Sequence, residues 1–154
     1  MWEEQWKRVQ RFYEIFKQTD VGRTHDRESD FYVDEMYSFF QNCYHLKDWL
    51  KNDQASARTV TDIEAMITNS TSLSICADLA NGSKHLTLTT SRSGDLATRF
   101  GPKHFSVSLG PGMPTRISAA YEVHSGSSIW DAFSLAEECM QEWRRYLTRK
   151  GLPT

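Results

Sequence analysis

Two short polar clusters carry the residue types that chemistry needs. In the stretch "NCYHLKDWLKND", Asn42, His45 and Trp49 recur at helical spacing with Asp48 beside them, so they share one face of a helix. An imidazole next to a carboxylate can act as a general base or hold a ligand. It can equally be a histidine hydrogen-bonded into a helical bundle. In "DLANGSKH", Asp78, Asn81 and His85 step by three and four, with Lys84 adjacent. Asn81, Lys84 and His85 at a helix end could bind a phosphate or activate a hydroxyl. They could also be a polar C-cap, with Asn81 and Gly82 stopping the helix and Lys84 and His85 meeting its dipole.

The elements that must position these clusters follow from hydrophobic periodicity. Trp2, Trp6, Val9, Phe12 or Tyr13, and Phe16 predict a first helix over residues 2–18, with Gly22 as its stop. Tyr32, Met36, Phe39, Cys43, Leu46 and Leu50 mark the seam of a second helix from Ser29 to Asn52. A third runs from Thr59 or Thr61 to Ala80, through "TNSTSLS", where serine and threonine compete with helical backbone bonds and can bend or break it. The period then changes to two. "HLTLTTSR", "HFSVSLG" and "TRISAAYEV" alternate as three antiparallel strands joined by glycine- and proline-rich turns. A last helix from Ser128 to Arg149 carries Ile129, Phe133, Ala136, Met140, Trp143 and Leu147 on one stripe. The expected fold class is α+β: a bundle of about four helices with a three-stranded antiparallel meander inserted before the last one, in a single domain over residues 1–154.

Pairing the second and third helices as an antiparallel hairpin about the turn near residues 53–58 places His45 opposite residues 66–68. His85 then falls near the start of the second helix, about 25 Å away along the axis. The two clusters are therefore expected to be separate features.

Composition narrows the function classes. A net charge of −2 argues against a broad basic nucleic-acid-binding face. No apolar run approaches the length a membrane helix needs, and "MWEEQWKRVQ", with its early acids, does not read as a secretory signal. Cys43, Cys76 and Cys139, an odd count without close spacing, read as reduced thiols at core positions of a cytoplasmic protein. There is no C-x-x-C, and no recognised ligand spacing joins His25 to His85, so neither a metal nor a cofactor is expected.

The helix-end histidine of "NGSKH" resembles the HEPN group of four-helix bundles, many of which are dimeric ribonucleases of toxin and phage-defence systems. The motif of that group is an arginine, four to six intervening residues, then a histidine at a helix end facing the dimer partner. Here Asn81 precedes His85 and the arginine is missing; the spacing recurs only in "RFGPKH", Arg99 to His104, expected in a turn between strands. The resemblance implies a metal-independent ribonuclease using His85 and passes a role to no other residue. Three readings follow. The first is a small cytoplasmic binding or interaction module without catalysis, homodimeric through a sheet edge. The second is the ribonuclease, with Asn81 and Lys84 assisting His85 on RNA. The third is a bundle binding a small ligand around Asn42, His45, Asp48 and Trp49.

Overall fold

The computed structural model describes residues 1–85 and 87–154. In chain order the elements are α1 (Trp2–Val21), β1 (Arg23–Thr24), α2 (Ser29–Asn52), α3 (Ile63–Asn69), α4 (Thr71–Lys84), β2 (Arg99–Ser108), β3 (Arg116–Ser125), β4 (Ser128–Asp131) and α5 (Ala132–Arg149). The architecture is α+β, with the antiparallel meander β2–β3–β4 before the last helix.

Apolar spacing sets the helices. α2 buries Tyr32, Met36, Phe39, Phe40, Cys43, Leu46 and Leu50 along one side. α1 runs beside it, ended by Gly22, whose φ of 119° suits glycine. Asp53, just past α2, accepts the backbone N–H of Trp2 at 2.8 Å, which ties the start of one helix to the end of the other. Backbone N–H groups of Ala55 and Trp2 hold this carboxyl below the usual carboxylate range. Phe16 is the aromatic hub of the core. Its ring lies 5.3 Å from Phe133, 6.0 Å from Tyr121, 6.2 Å from Phe39 and 6.3 Å from Phe40, joining α1, α2, α5 and β3. Such pairs add about 0.5–1.5 kcal/mol each beyond area burial.

The sheet is ordered by β3. β2 runs along one of its sides; the two-residue β1 and the short β4 share the other. Ile117, Ala119, Tyr121 and Val123 alternate inward onto the helices. Opposite them, Phe105 pairs with Ala119 and Val107 with Ile117.

Several expectations differ from the structure. The third helix is two: Ser70 breaks it, and its side chain accepts the Leu73 N–H to cap α4. α4 continues past Gly82 to Lys84, because Ser83 donates to the Ala80 carbonyl and accepts from Gln41, and these contacts outweigh the roughly 1 kcal/mol a helical glycine costs. The described residues of "HLTLTTSR" form no strand, and Leu86 lies outside them. The last two residues of this segment turn instead to Asp78, which accepts the Ser91 hydroxyl and the Arg92 N–H. Finally, α5 begins at Ala132, with Asp131 as its side-chain cap. Residues 128–131 pair with β3, which leaves Ile129 67% exposed.

Candidate functional sites

The first polar cluster lies along α2. Asn42 is tied to the bundle: Gln5 Nε2 donates to its carbonyl and side-chain oxygens at 3.0 and 3.1 Å, and its own Nδ2 donates to Ser38 O at 2.7 Å. His45 is exposed. Asp48 accepts from Lys47 Nζ at 2.5 Å, so it is partnered by a lysine. Trp49 is half-exposed, with the Arg8 guanidinium 5.7 Å above its ring. Asp48 and Trp49 line a cavity of about 320 Å³ with Asn52 and Asp53, while Asn42 and His45 do not.

The second cluster divides. Asp78 is fully buried and is the anchor of the following loop. Its Oδ1 accepts Arg92 N at 2.8 Å; its Oδ2 accepts Ser91 Oγ at 2.6 Å, Ser93 N at 2.9 Å and Ser93 Oγ at 2.6 Å. From there a run of hydroxyls continues through Thr98 to Ser125, reaching β3. Asn81, Lys84 and His85 sit at the solvent end of α4. The Asn81 carbonyl accepts the His85 N–H at 2.9 Å, so His85 is the C-cap; its side chain and that of Lys84 are exposed.

The two clusters lie closer than the hairpin reading places them. Gln41 Nε2 donates to Ser83 Oγ at 3.0 Å, so the end of α4 meets the middle of α2 rather than its start. His45 is one turn beyond Gln41, about 6 Å along the axis. The hairpin pairing assumes a turn at residues 53–58, whereas the connection spans residues 53–62. They wind through several turns, held by Ser56 Oγ donating to the Leu50 carbonyl.

A salt-bridged patch joins α2, α3 and the loop. Glu64 accepts from Lys51 Nζ at 2.7 Å and from the Arg92 guanidinium, with Lys47 Nζ 3.9 Å away. Burial pushes this carboxyl up, but the bonds from Lys51 and Arg92 and the charge of Lys47 outweigh it and bring it down to about 2.

Sequence reasoning missed two groupings. On the outer face of the sheet, Glu122 bridges His104 Nε2 at 3.2 Å and His124 Nε2 at 2.8 Å. Bonds from His124 and then His104 hold its carboxyl below the usual range. "RFGPKH" is no turn: Arg99 pairs with His124 and His104 with Ala120, with a bulge between Phe100 and Lys103. A Cβ on Gly101 would lie 2.5 Å from His124 Nε2, so glycine makes room for that ring. The period-two pattern that starts at His104 was the signal available.

The other grouping is in the core. Cys43 of α2, Cys76 of α4 and Cys139 of α5 are the chain's three cysteines, and their sulfurs all lie within 4.8 Å of one another. All three are fully buried and free of disulfides. Cys76 Sγ approaches the Phe40 carbonyl at 3.5 Å and Cys139 Sγ the Ser72 carbonyl at 3.4 Å. At Cys43 burial pushes the thiol up, but the neighbouring Cys139, Cys76 and Trp143 outweigh it and bring it below the usual range. At Cys76 and Cys139 burial prevails and pushes the thiols well up.

Comparison with known proteins found no matching family model, no matching curated protein and no matching solved structure.

Proposed function

We propose that this chain is a small binding module without catalysis of its own, which pairs with a second copy through the outer edge of β2. The observation that carries the reading is the contrast between the two halves of that strand. Its first half bears the devices that block edge pairing: the bulge, Pro102 and Lys103. Its second half, Phe105-Ser106-Val107-Ser108, bears none. Among the described residues its outer edge has no strand partner.

Apolar groups gather at this half. Val107 is 53% exposed, and Leu109 and Met113 beyond it are more so. Antiparallel pairing of two copies centred on Ser106 sets serine and apolar residues across the dyad and brings no like charges together. It would continue the sheet from one subunit into the next. A stable dimer needs on the order of 800 Å² from each partner, more than one strand edge supplies. The groove beside the strand, lined by Phe105, Val107, Ile117 and residues 25–29, offers further surface. Asp26, Arg27 and Glu28 give its rim both charge signs, which suits self-pairing.

Sedimentation equilibrium tests the reading. The chain should return twice its 17.8 kDa mass. Val107→Lys should return the single-chain mass with an unchanged circular dichroism spectrum, since the side chain is already exposed. Val21→Lys, at the exposed end of α1, should stay dimeric. A single-chain mass for the unaltered protein at every concentration rejects the proposal.

A further inference from the structure

We infer that Cys43, Cys76 and Cys139 form a three-coordinate thiolate site for a single soft, thiophilic ion. Three observations carry this. Each cysteine comes from a different helix, so the cluster arises from packing and not from local sequence. It takes up every cysteine of the chain. And Trp143, fully buried and one turn beyond Cys139 on α5, has an indole Nε1 with no hydrogen-bond partner.

The geometry suits three ligands. Three sulfurs each about 2.3 Å from a central ion lie about 4.0 Å apart in a plane. The cluster, within 4.8 Å, reaches that arrangement by a small contraction. No histidine or carboxylate joins the group among the described residues, which disfavours Zn(II), an ion that takes four ligands in closed sites. Thiolates select soft ions such as Cu(I). Charge adds a second criterion, because an apolar core penalises net charge. Three thiolates leave Cu(I) with two negative charges in excess and leave a trivalent ion such as As(III) neutral. With arsenite, three As–O bonds break and three As–S bonds form. Each thiol proton leaves in one of three waters, and no electron is transferred. With Cu(I), each proton goes to solvent as its sulfur binds.

The test loads the full chain anaerobically in separate arms with Cu(I), arsenite and Zn(II). Each arm is run on native protein and during refolding from urea, so that slow entry into the core does not mask binding. Native mass spectrometry after desalting should show one ion per chain for Cu(I), arsenite or both. X-ray absorption at the ion's edge should show three sulfur neighbours. Retention should be lost in each of Cys43→Ala, Cys76→Ala and Cys139→Ala. The absorption measurement needs no variant and so stands even if one of them fails to fold. Failure to retain either soft ion in both loading modes would overturn the site, as would retention of Zn(II) alone or an ion held by fewer than three sulfurs. None of these results bears on pairing at β2, which carries no cysteine and is read by mass alone.

Discussion

Removal of the Asp78 carboxylate should release the loop that joins α4 to β2. Four hydrogen bonds converge on this one buried group, two from backbone amides and two from serine hydroxyls. Asp78→Ala deletes all the acceptors at once. An unsatisfied buried donor costs about 1–3 kcal/mol. The hydroxyls of Ser91 and Ser93 are only partly buried and can turn to water, so the loss falls mainly on the amides of Arg92 and Ser93. The expected destabilisation is about 2–4 kcal/mol, a large share of the roughly 5–15 kcal/mol that holds a domain together. For a chain of this size it lowers Tm by about 4–16 °C. Urea unfolding gives the free energy, and hydrogen exchange gives the place: protection should vanish at Arg92 and Ser93 while the α2 amides keep theirs under native conditions. Asp78→Asn retains one acceptor oxygen and should lose less. A change below about 0.5 kcal/mol, or unaltered protection of the two amides, refutes the anchoring role.

Other outcomes follow from the same geometry. Glu64, held at about 2, contributes stability that is present above its unfolded value near 4.5 and lost as pH falls toward 2. Its side chain is 40% exposed, so solvent screening limits the effect to less than about 1 kcal/mol. The Tm gap between the unaltered protein and Glu64→Gln should therefore be small at pH 7 and absent at pH 2. Gly101→Ala should destabilise by displacing the His124 ring from Glu122, and the same change in a His124→Ala background should cost less; equal costs in the two backgrounds would show that the ring is not what the added methyl meets. A module without catalysis leaves RNA intact, so electrophoresis of RNA incubated with the chain should show no cleavage; cleavage abolished by His85→Ala would replace this reading with the ribonuclease that the HEPN resemblance implies.

The legible parts of the fold are those whose partners are set by local period. The seam of α2 from Tyr32 to Leu50, the stripe of α5 from Phe133 to Leu147, and the inward face of β3 each repeat at the spacing of their element, and all are buried. The strand expected over "HLTLTTSR" had the same alternating pattern. What competes there is a carboxylate thirteen to fifteen residues upstream, which takes the donors of Ser91, Arg92 and Ser93. Alternation says which face a strand would show; it does not say whether the backbone has a better acceptor. Of the two polar clusters, Asn42 and Asp78 turned out to be held by structural partners, while His45, Lys84 and His85 stand in solvent.

The cysteine cluster shows what decides whether a site can be read from a chain. Each of the three cysteines falls on the apolar stripe of its helix, so burial in a shared core was readable from spacing alone. Their meeting depends on axial offset. Pairing α2 with the following helix about a tight turn sets Cys43 level with residues 68–70, roughly 10 Å from Cys76 along the axis. The winding connection over residues 53–62 and the break at Ser70 use up the difference, and Gln41 meeting Ser83 marks the register that results. The polar residues that set this register, Ser56 donating to Leu50 O and Ser70 capping α4, carry no thiol and touch none of the three sulfurs in any hydrogen bond. Site chemistry and the residues that assemble it are thus separate in the sequence. Ser56→Ala, which frees the Leu50 carbonyl, should disturb the cluster from a distance: ion retention should weaken while all three cysteines remain. Unchanged retention in that variant would mean that the packing of α2, α4 and α5 holds the sulfurs in place without the connection.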